Sequence, residues 1–161
     1  MPYIKLLARD EWHRLRDIRL SALHESPHAF LTTYGREQAY NEDQWRAEFT
    51  RGEWNIGIIG SRAVSLLGTT HESDTPVHEC YLEYLWVSPE CRGSGVAFDM
   101  LTIILDRLQT SGVRTVFLWV LDGNDTAIRL YKRVGFVSTN HRQPLSADPE
   151  RSEERMQLDL G

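Results

Sequence analysis

The chain has 161 residues, a formal net charge of −5 at pH 7 and 41% apolar residues. This size and composition predict a single folded domain over residues 1–161 and exclude an intrinsically disordered chain. The acidic balance excludes the basic surface typical of nucleic-acid-binding proteins, and no apolar run approaches the roughly 20 residues of a membrane span.

The first third of the chain is predicted to form one strand and three helices. Residues 3–7 are a short apolar strand, and Asp10 is the expected cap of the first helix, which should end near Glu25. The apolar residues at helical spacing are Trp12, Leu15, Ile18 and Ala22. The charged residues expected elsewhere on that helix are Arg14, Arg16, Asp17 and Arg19. Further helices are predicted around residues 33–40 and 42–51.

A β-hairpin and a third strand are predicted next. Residues 54–59 and 62–71 flank a Gly60-Ser61 turn, which is typical of a hairpin. After a polar loop, residues 80–87 form a strand in which Glu83 should share a face with Leu85. A carboxylate is therefore expected on this strand just before the glycine loop.

That glycine loop opens an amphipathic helix. Gly93 and Gly95 directly precede the predicted helix at residues 96–109. Backbone N–H groups and the helix dipole favour an anion at such a helix start, and glycine lets a phosphate approach closely. A strand, a glycine loop and a helix in this order predict a phosphate site.

The last third of the chain completes a mixed sheet. Residues 115–121 are continuously apolar and predict a buried central strand. A short helix from about Thr126 carries Tyr131 and ends at Gly135. Two closing strands are predicted at residues 136–141 and 155–160.

The cysteines, the histidines and the first residues argue for a reduced, cytoplasmic protein without a metal. Cys80 and Cys91 lack disulfide-framework or metal-ligand spacing, and the first residues contain no secretory segment. His71 and His78 also lack the spacing of a tetrahedral site.

Two stretches resemble the signatures of the GNAT superfamily of N-acetyltransferases. Residues 92–97 match the pattern Gln/Arg-x-x-Gly-x-Gly/Ala, and residues 124–136 resemble the second signature. The resemblance covers residues 81–136 closely. It implies an α/β fold with a mixed central sheet of about six to seven strands, splayed where an acyl-CoA binds.

The resemblance also implies a role for individual residues. Acetyl-CoA, or another acyl-CoA, would be the co-substrate. The implied cofactor-binding residues are Leu85, Trp86, Val87, Arg92, Gly93, Ser94, Gly95, Val96, Ala97, Asn124 and Ala127. Tyr131 would protonate the departing thiolate, although a core aromatic is the alternative interpretation. Glu83 is a candidate general base, and a half-exposed residue with a salt-bridge partner is the alternative.

The expected reaction is direct attack of an amine on the thioester. The acceptor would be a small molecule or a peptide, selected by residues 26–40 and 139–152, with Phe30 and Tyr34 as candidate substrate-binding residues. Two alternatives stay open: a thioester on an acyl carrier protein as donor, and a CoA-binding module without turnover. The resemblance also indicates a homodimer.

Overall fold

A seven-stranded mixed sheet forms the centre of the protein in a computed structural model, which describes residues 2–146 and 148–161. The strands are β1 (Tyr3–Leu6), β2 (Gly52–Ile59), β3 (Arg62–Thr70), β4 (Glu79–Val87), β5 (Thr115–Leu121), β6 (Val137–Pro144) and β7 (Ser152–Asp159). Their order across the sheet is β1-β2-β3-β4-β5-β7-β6. The predicted α/β fold with six to seven strands is confirmed. Ala147, in the predicted late loop, lies outside the described residues.

In the described residues, five α-helices cover the two faces of the sheet. They are α1 (Trp12–Glu25), α2 (Tyr34–Gln38), α3 (Glu42–Thr50), α4 (Val96–Thr110) and α5 (Asp125–Val134). One core packs α4 and α5 against β4, β5 and β7, with Met100, Leu101 and Ile104 at its centre. The other packs α1 and α3 against β2, β3 and β4, around Leu15 and Trp54. Within the described ranges, no helix has the length and apolar content needed to cross a bilayer.

The sheet separates in its middle. All neighbouring strands are antiparallel except β4 and β5, which run parallel and pair only from Glu79–Thr115 to Leu82–Leu118. Beyond that point β4 and β5 diverge, and their facing backbone groups have no strand partner. The predicted splay therefore lies between Glu83 and the end of β4 on one side and Trp119 and the end of β5 on the other.

A bulge in β4 corrects the predicted side-chain alternation. Opposite β3, Trp86 pairs with Leu66 and Glu83 with Gly68, so Tyr84 and Leu85 together face one residue. Tyr84 has a φ of 59°, in the left-handed region. Because of the extra residue, Leu85 packs with the α4–α5 core, whereas Tyr84 packs with the α1–α3 core. Glu83 and Leu85 therefore do not share a face, contrary to the prediction.

Two predictions about α1 were also wrong. Asp10 does not cap the helix, because a 3₁₀ turn at Arg9–Glu11 precedes it and Glu11 accepts a hydrogen bond from the Ala8 N–H at 2.9 Å. Arg19 is not on the exposed side of α1 but is completely buried. Its charge is compensated by carboxylates of α2 and α3.

The strand β6 forms one edge of the sheet and is interrupted. Ser138 pairs with Met156 and Arg142 with Glu154, so three residues of β6 stand opposite Arg155 alone. Asn140, in the middle of these three, has a φ of 60°. The break divides β6 into two short stretches.

Candidate active site

A cleft of about 320 Å³ opens where β4 and β5 diverge. Its walls are residues 29–32 between α1 and α2, the diverging ends of β4 and β5, and the first turns of α5. The cleft brings together six of the predicted site residues, namely Phe30, Glu83, Leu85, Asn124, Ala127 and Tyr131. Residues of β4, of the second signature and of the segment between α1 and α2 therefore meet at one place, and the first signature, residues 92–97, lies outside this cleft lining.

The glycine loop presents open space at the start of α4. Gly93 and Gly95 have φ values of 77° and 86°, and Gly95 is the N-cap of α4 without a side-chain cap. A Cβ at Gly93 would meet nothing within 4 Å, and a Cβ at Gly95 would meet only Asp99 Oδ2, at 3.8 Å. The first N–H groups of α4 are thus free of a side-chain cap and open to an approaching anion, which fits a diphosphate.

Arg92 and Trp86 contact the end of α1. The Arg92 Nε–H donates to the Val87 carbonyl at 3.0 Å, and its Nη2 donates to Glu25 at 2.7 Å. The Trp86 indole N–H donates to the same Glu25 oxygen at 2.9 Å. Burial raises the pKa of Glu25, but hydrogen bonds from Arg92, Ser26 and Trp86 outweigh it and lower that pKa to about 2. Arg92 thus joins the start of the glycine loop to α1, and Trp86 joins the end of β4 to it. Their predicted contact with a cofactor stays a prediction.

Tyr131 places a protonated hydroxyl beside the cleft. Its helix α5 begins at Asn124, whose side-chain oxygen accepts a hydrogen bond from the Ala127 N–H at 3.3 Å. The Tyr131 ring packs edge-on against Phe136, with centroids 5.8 Å apart. Burial raises the pKa of Tyr131 above its ordinary value, so the hydroxyl keeps its proton at neutral pH.

Glu83 lies in the cleft wall as an ion pair with Arg51. The Arg51 Nη2 donates to both carboxylate oxygens of Glu83, at 3.0 and 2.9 Å. Arg51 also contacts Glu48 and Glu72, each at 3.3 Å. The alternative interpretation of Glu83, a half-exposed residue with a salt-bridge partner, describes the structure. Its role as a general base stays a prediction, and its place in the cleft wall is compatible with that role. The sequence pattern contained no indication of Arg51 as that partner.

The two aromatic residues predicted on the acceptor side have different surroundings. Phe30 lines the cleft and stacks on Tyr84, with ring centroids 5.9 Å apart and planes at 24°. Tyr34 is in α2 and packs edge-on against His24, outside the cleft wall. The late loop approaches the same region, because Arg151 donates to the His28 carbonyl at 2.9 Å.

A second cavity of about 420 Å³ adjoins the cleft and shares Tyr81, Glu83 and Trp119 with it. The further carboxylates in its wall are Glu72, Asp74 and Glu79. Arg51 is the basic residue in the wall of the cleft itself. The walls of the two cavities taken together therefore contain more carboxylates than basic residues.

Behind the cleft lies a buried polar network that the sequence pattern did not predict. Arg19 donates from Nε and Nη2 to Glu37 at 2.9 and 2.6 Å, and Nη2 also donates to Tyr84 at 2.7 Å. A signal for Arg19 was present in the sequence. It lies four residues after Leu15 and three before Ala22, so a charged residue occupies the apolar stripe of α1. A charge at such a position requires buried partners.

The sequence matches the model of the acetyltransferase (GNAT) family over residues 12–136. Among curated proteins, the chain is 34% identical over 112 residues to [ribosomal protein bS18]-alanine N-acetyltransferase of Haemophilus ducreyi, covering 63% of this chain and 77% of that protein. It is 29% identical over 94 residues to the spore coat polysaccharide biosynthesis protein SpsD of Bacillus subtilis, covering 53% of this chain. The match covers 32% of the length of SpsD, about a third of that protein.

The fold is also similar to that of yncA from Salmonella typhimurium, a structure solved with its cofactor acetyl-CoA. The TM-score is 0.77 at 15% identity, over 100% of this chain and 95% of yncA. The splayed sheet thus agrees with a solved acetyltransferase fold, and the family match extends from α1 to the end of α5 through both predicted signatures. On these grounds the chain belongs to the GNAT family of acetyltransferases.

Proposed function

We propose that this protein transfers an acetyl group from acetyl-CoA to a primary amine, as a single domain over residues 1–161. The observation that carries the proposal is the divergence of β4 and β5 between an open glycine loop and a buried tyrosine hydroxyl. The H. ducreyi relative is an N-acetyltransferase by name, and yncA was solved with acetyl-CoA. The name of the relative supports an amine acceptor, and the acetyl-CoA in the yncA structure supports an acyl-CoA donor.

The residues present fit an acyl-CoA. The backbone N–H groups of residues 93–97 would bind the diphosphate, since a Cβ would occupy the space that glycine leaves open. The β4 backbone beyond Leu82 would hold the pantetheine arm. In that stretch the Val87 carbonyl already accepts a hydrogen bond from Arg92. The backbone of Leu85 is therefore the better candidate to bind the pantetheine amides. Arg133 lies 4.3 Å from the Phe98 ring, against the first turn of α4, and would reach a phosphate at that end.

Each cleft residue would then have a chemical task, once bound acetyl-CoA supplies a thioester carbonyl. The Leu85 amide, at the bulge, would donate to the carbonyl oxygen as negative charge develops on it. Tyr131 would hold a proton on its hydroxyl for the departing sulfur. An alkyl ammonium with a pKa near 10 must lose a proton before it attacks. Glu83 is the carboxylate in the cleft wall, and Arg51 fixes its orientation.

The charge balance supports an acceptor that is a cation in solution. Glu72, Asp74, Glu79 and Glu83 line the adjoining cavity, and Arg51 alone brings basic charge to the cleft wall. Carboxylates around an entrance raise the local concentration of cationic ligands. The open glycine loop favours CoA over a carrier protein, because a carrier-bound phosphopantetheine lacks the diphosphate bridge to adenosine.

The test is release of free CoA from acetyl-CoA in the presence of an amine panel. The panel contains monoamines, diamines, amino acids and peptides with a free N-terminal alanine. We expect release above the rate of hydrolysis for at least one amine, with the acetylated product seen by mass spectrometry. Tight CoA binding without release for any amine would contradict the proposal and favour a CoA-binding module without turnover.

Replacement of Phe30 by alanine is expected to change the amine preference without changing CoA affinity. The Phe30 ring lines the cleft on the side of the N-terminal helices. Loss of such a contact typically changes discrimination between related substrates by about 10-fold or more. The measurement is kcat/KM for two amines of different size, together with calorimetric titration of CoA.

Tyr34→Ala provides the comparison for this prediction. Tyr34 is also predicted to act on substrate preference, but its ring packs on His24 outside the cleft wall. A smaller change is therefore expected for Tyr34→Ala than for Phe30→Ala. A loss of CoA affinity in Phe30→Ala, with unchanged selectivity, would place residues 29–32 on the cofactor side of the cleft.

A further inference from the structure

Tyr84 connects the β4 bulge to the N-terminal helices. Its backbone is in the left-handed region, which is unfavourable for a residue with a Cβ and must be stabilised by the surrounding structure. The peptide group that follows it carries the Leu85 N–H. Any rotation of the Tyr84 backbone therefore reorients that N–H, which is the proposed donor to the thioester oxygen.

The Tyr84 hydroxyl is held by two charged residues at once. It donates to Glu37 Oε2 at 2.7 Å and accepts from Arg19 Nη2 at 2.7 Å. Burial raises the pKa of Tyr84 above its ordinary value, so the hydroxyl stays protonated and keeps both roles. The guanidinium of Arg19 also lies over the Tyr84 ring, 4.0 Å from its centroid.

Arg19 and Glu37 are themselves fixed. Arg19 and Glu37 are 0% and 1% exposed, and a second carboxylate, Glu48, accepts from Arg19 Nη2 at 2.9 Å. These three residues come from α1, α2 and α3, respectively. One tyrosine side chain thus receives contacts that depend on all three N-terminal helices. A side chain held by charge-assisted hydrogen bonds in a buried site has little freedom to move.

The Tyr84 ring also contacts the acceptor side of the cleft. Phe30, in the cleft wall, stacks on it with centroids 5.9 Å apart. The same ring therefore contacts the wall that meets the amine, while its backbone shapes the wall that meets the thioester. No other residue in the described part of the chain combines a left-handed backbone in β4 with a contact to Phe30.

We propose that Tyr84 is a positioning residue for the acyl transfer. Arg19 and Glu37 hold its hydroxyl, which fixes the bulge and thereby the direction of the Leu85 N–H. Without this hydroxyl the ring stays in place between Phe30 and the core, but the bulge loses the two bonds that define its orientation. This inference rests on the proposed function, because it assigns the Leu85 N–H a place in that reaction.

The test uses Tyr84→Phe in the full chain. Substitution of Arg19 would remove the cationic partner of the buried Glu37 carboxylate and so destabilise the fold, whereas the phenylalanine leaves the Arg19–Glu37 pair intact. We expect kcat to fall about 5- to 10-fold, less than the roughly 100-fold or more for complete loss of such a donor. We expect the dissociation constant of CoA to stay within about twofold, because the glycine loop is untouched.

Tyr40→Phe is the matched control. Tyr40 packs edge-on against Trp45, a ring that the Arg19 guanidinium also contacts, so this variant removes a tyrosine hydroxyl from the same helical layer without touching β4. Its kcat should equal that of the unmodified protein. The melting temperatures of both variants show whether any loss of rate follows from lower stability alone.

A second measurement requires neither acetyl-CoA nor an amine. In protein labelled with ¹⁵N-leucine, the Leu85 amide resonance should shift in Tyr84→Phe and not in Tyr40→Phe. An unshifted Leu85 resonance, or a shifted one with unchanged kcat, would overturn the inference. If the unmodified protein releases no CoA with any amine, the proposed function fails, and the Leu85 resonance still decides whether the Tyr84 hydroxyl sets the bulge.

Discussion

Gly95→Val should lower the affinity for CoA by about 10- to 100-fold in a protein that still folds. The added side chain would project into space that is empty apart from Asp99 Oδ2 at 3.8 Å, where the diphosphate is proposed to lie. It would keep the anion from the N–H groups at the start of α4. A hydrogen bond to a charged group contributes about 1.5–3 kcal/mol, which corresponds to this range of affinity.

Gly112→Val separates the effect on binding from the effect on folding. Gly112 lies just past the other end of α4 with a φ of 98°, and a Cβ added there would meet nothing within 4 Å. Both variants place a β-branched residue in the left-handed region, so both should lose a similar amount of stability, about 1–2 kcal/mol. Calorimetric titration of CoA should show weaker binding for Gly95→Val only. Unchanged affinity in folded Gly95→Val would remove the assignment of the glycine loop to the cofactor.

Tyr131→Phe is expected to lower kcat by roughly 10- to 100-fold and to leave CoA affinity nearly unchanged. The ring would keep its packing against Phe136, and only the hydroxyl would be lost. General-acid catalysis typically contributes about 10²- to 10⁴-fold. A thiolate whose conjugate acid has a pKa near 8.5 is a good leaving group, which argues for the lower end.

The pH dependence and a control variant sharpen this prediction. Burial raises the pKa of Tyr131, so its ionisation should not lower kcat at pH values near 10, where an ordinary tyrosine begins to lose its proton. Tyr81→Phe removes another hydroxyl in the cleft wall, from a ring that packs on Phe117, and should have little effect. An unmodified rate in Tyr131→Phe, with the chemical step shown to be rate-limiting, would make Tyr131 a packing residue.

The features that the sequence predicted are those encoded by residues close together in the chain. The strand β5, the helix α4 and the glycine loop between β4 and α4 each depend on a local pattern of apolar residues and glycines, and all three are present in the structure. The amphipathic pattern of α4 is strong because its outer side is solvated and its inner side is buried. Local sequence patterns therefore predicted the side of the cleft where acetyl-CoA is proposed to bind.

The acceptor side depends on contacts between distant residues. Arg19 and Tyr84 are 65 residues apart, and Arg51 and Glu83 are 32 apart. No sequence pattern predicts either pair, because the packing of the helices on the sheet decides which residues meet. The bulge at Tyr84 has the same origin, since a strand with one extra residue resembles a regular strand until its partner is known.

The break in β6 affects how the folded protein behaves at high concentration. An edge strand offers unpaired backbone groups on which another extended chain can add, which is the first step of amyloid-like growth. Here Asn140 interrupts that template, and Pro144 at the end of β6 has no N–H to offer. The opposite edge, β1, is only four residues long. Addition of another chain at these two edges is therefore disfavoured, and fibril growth from them should require partial unfolding of the protein first.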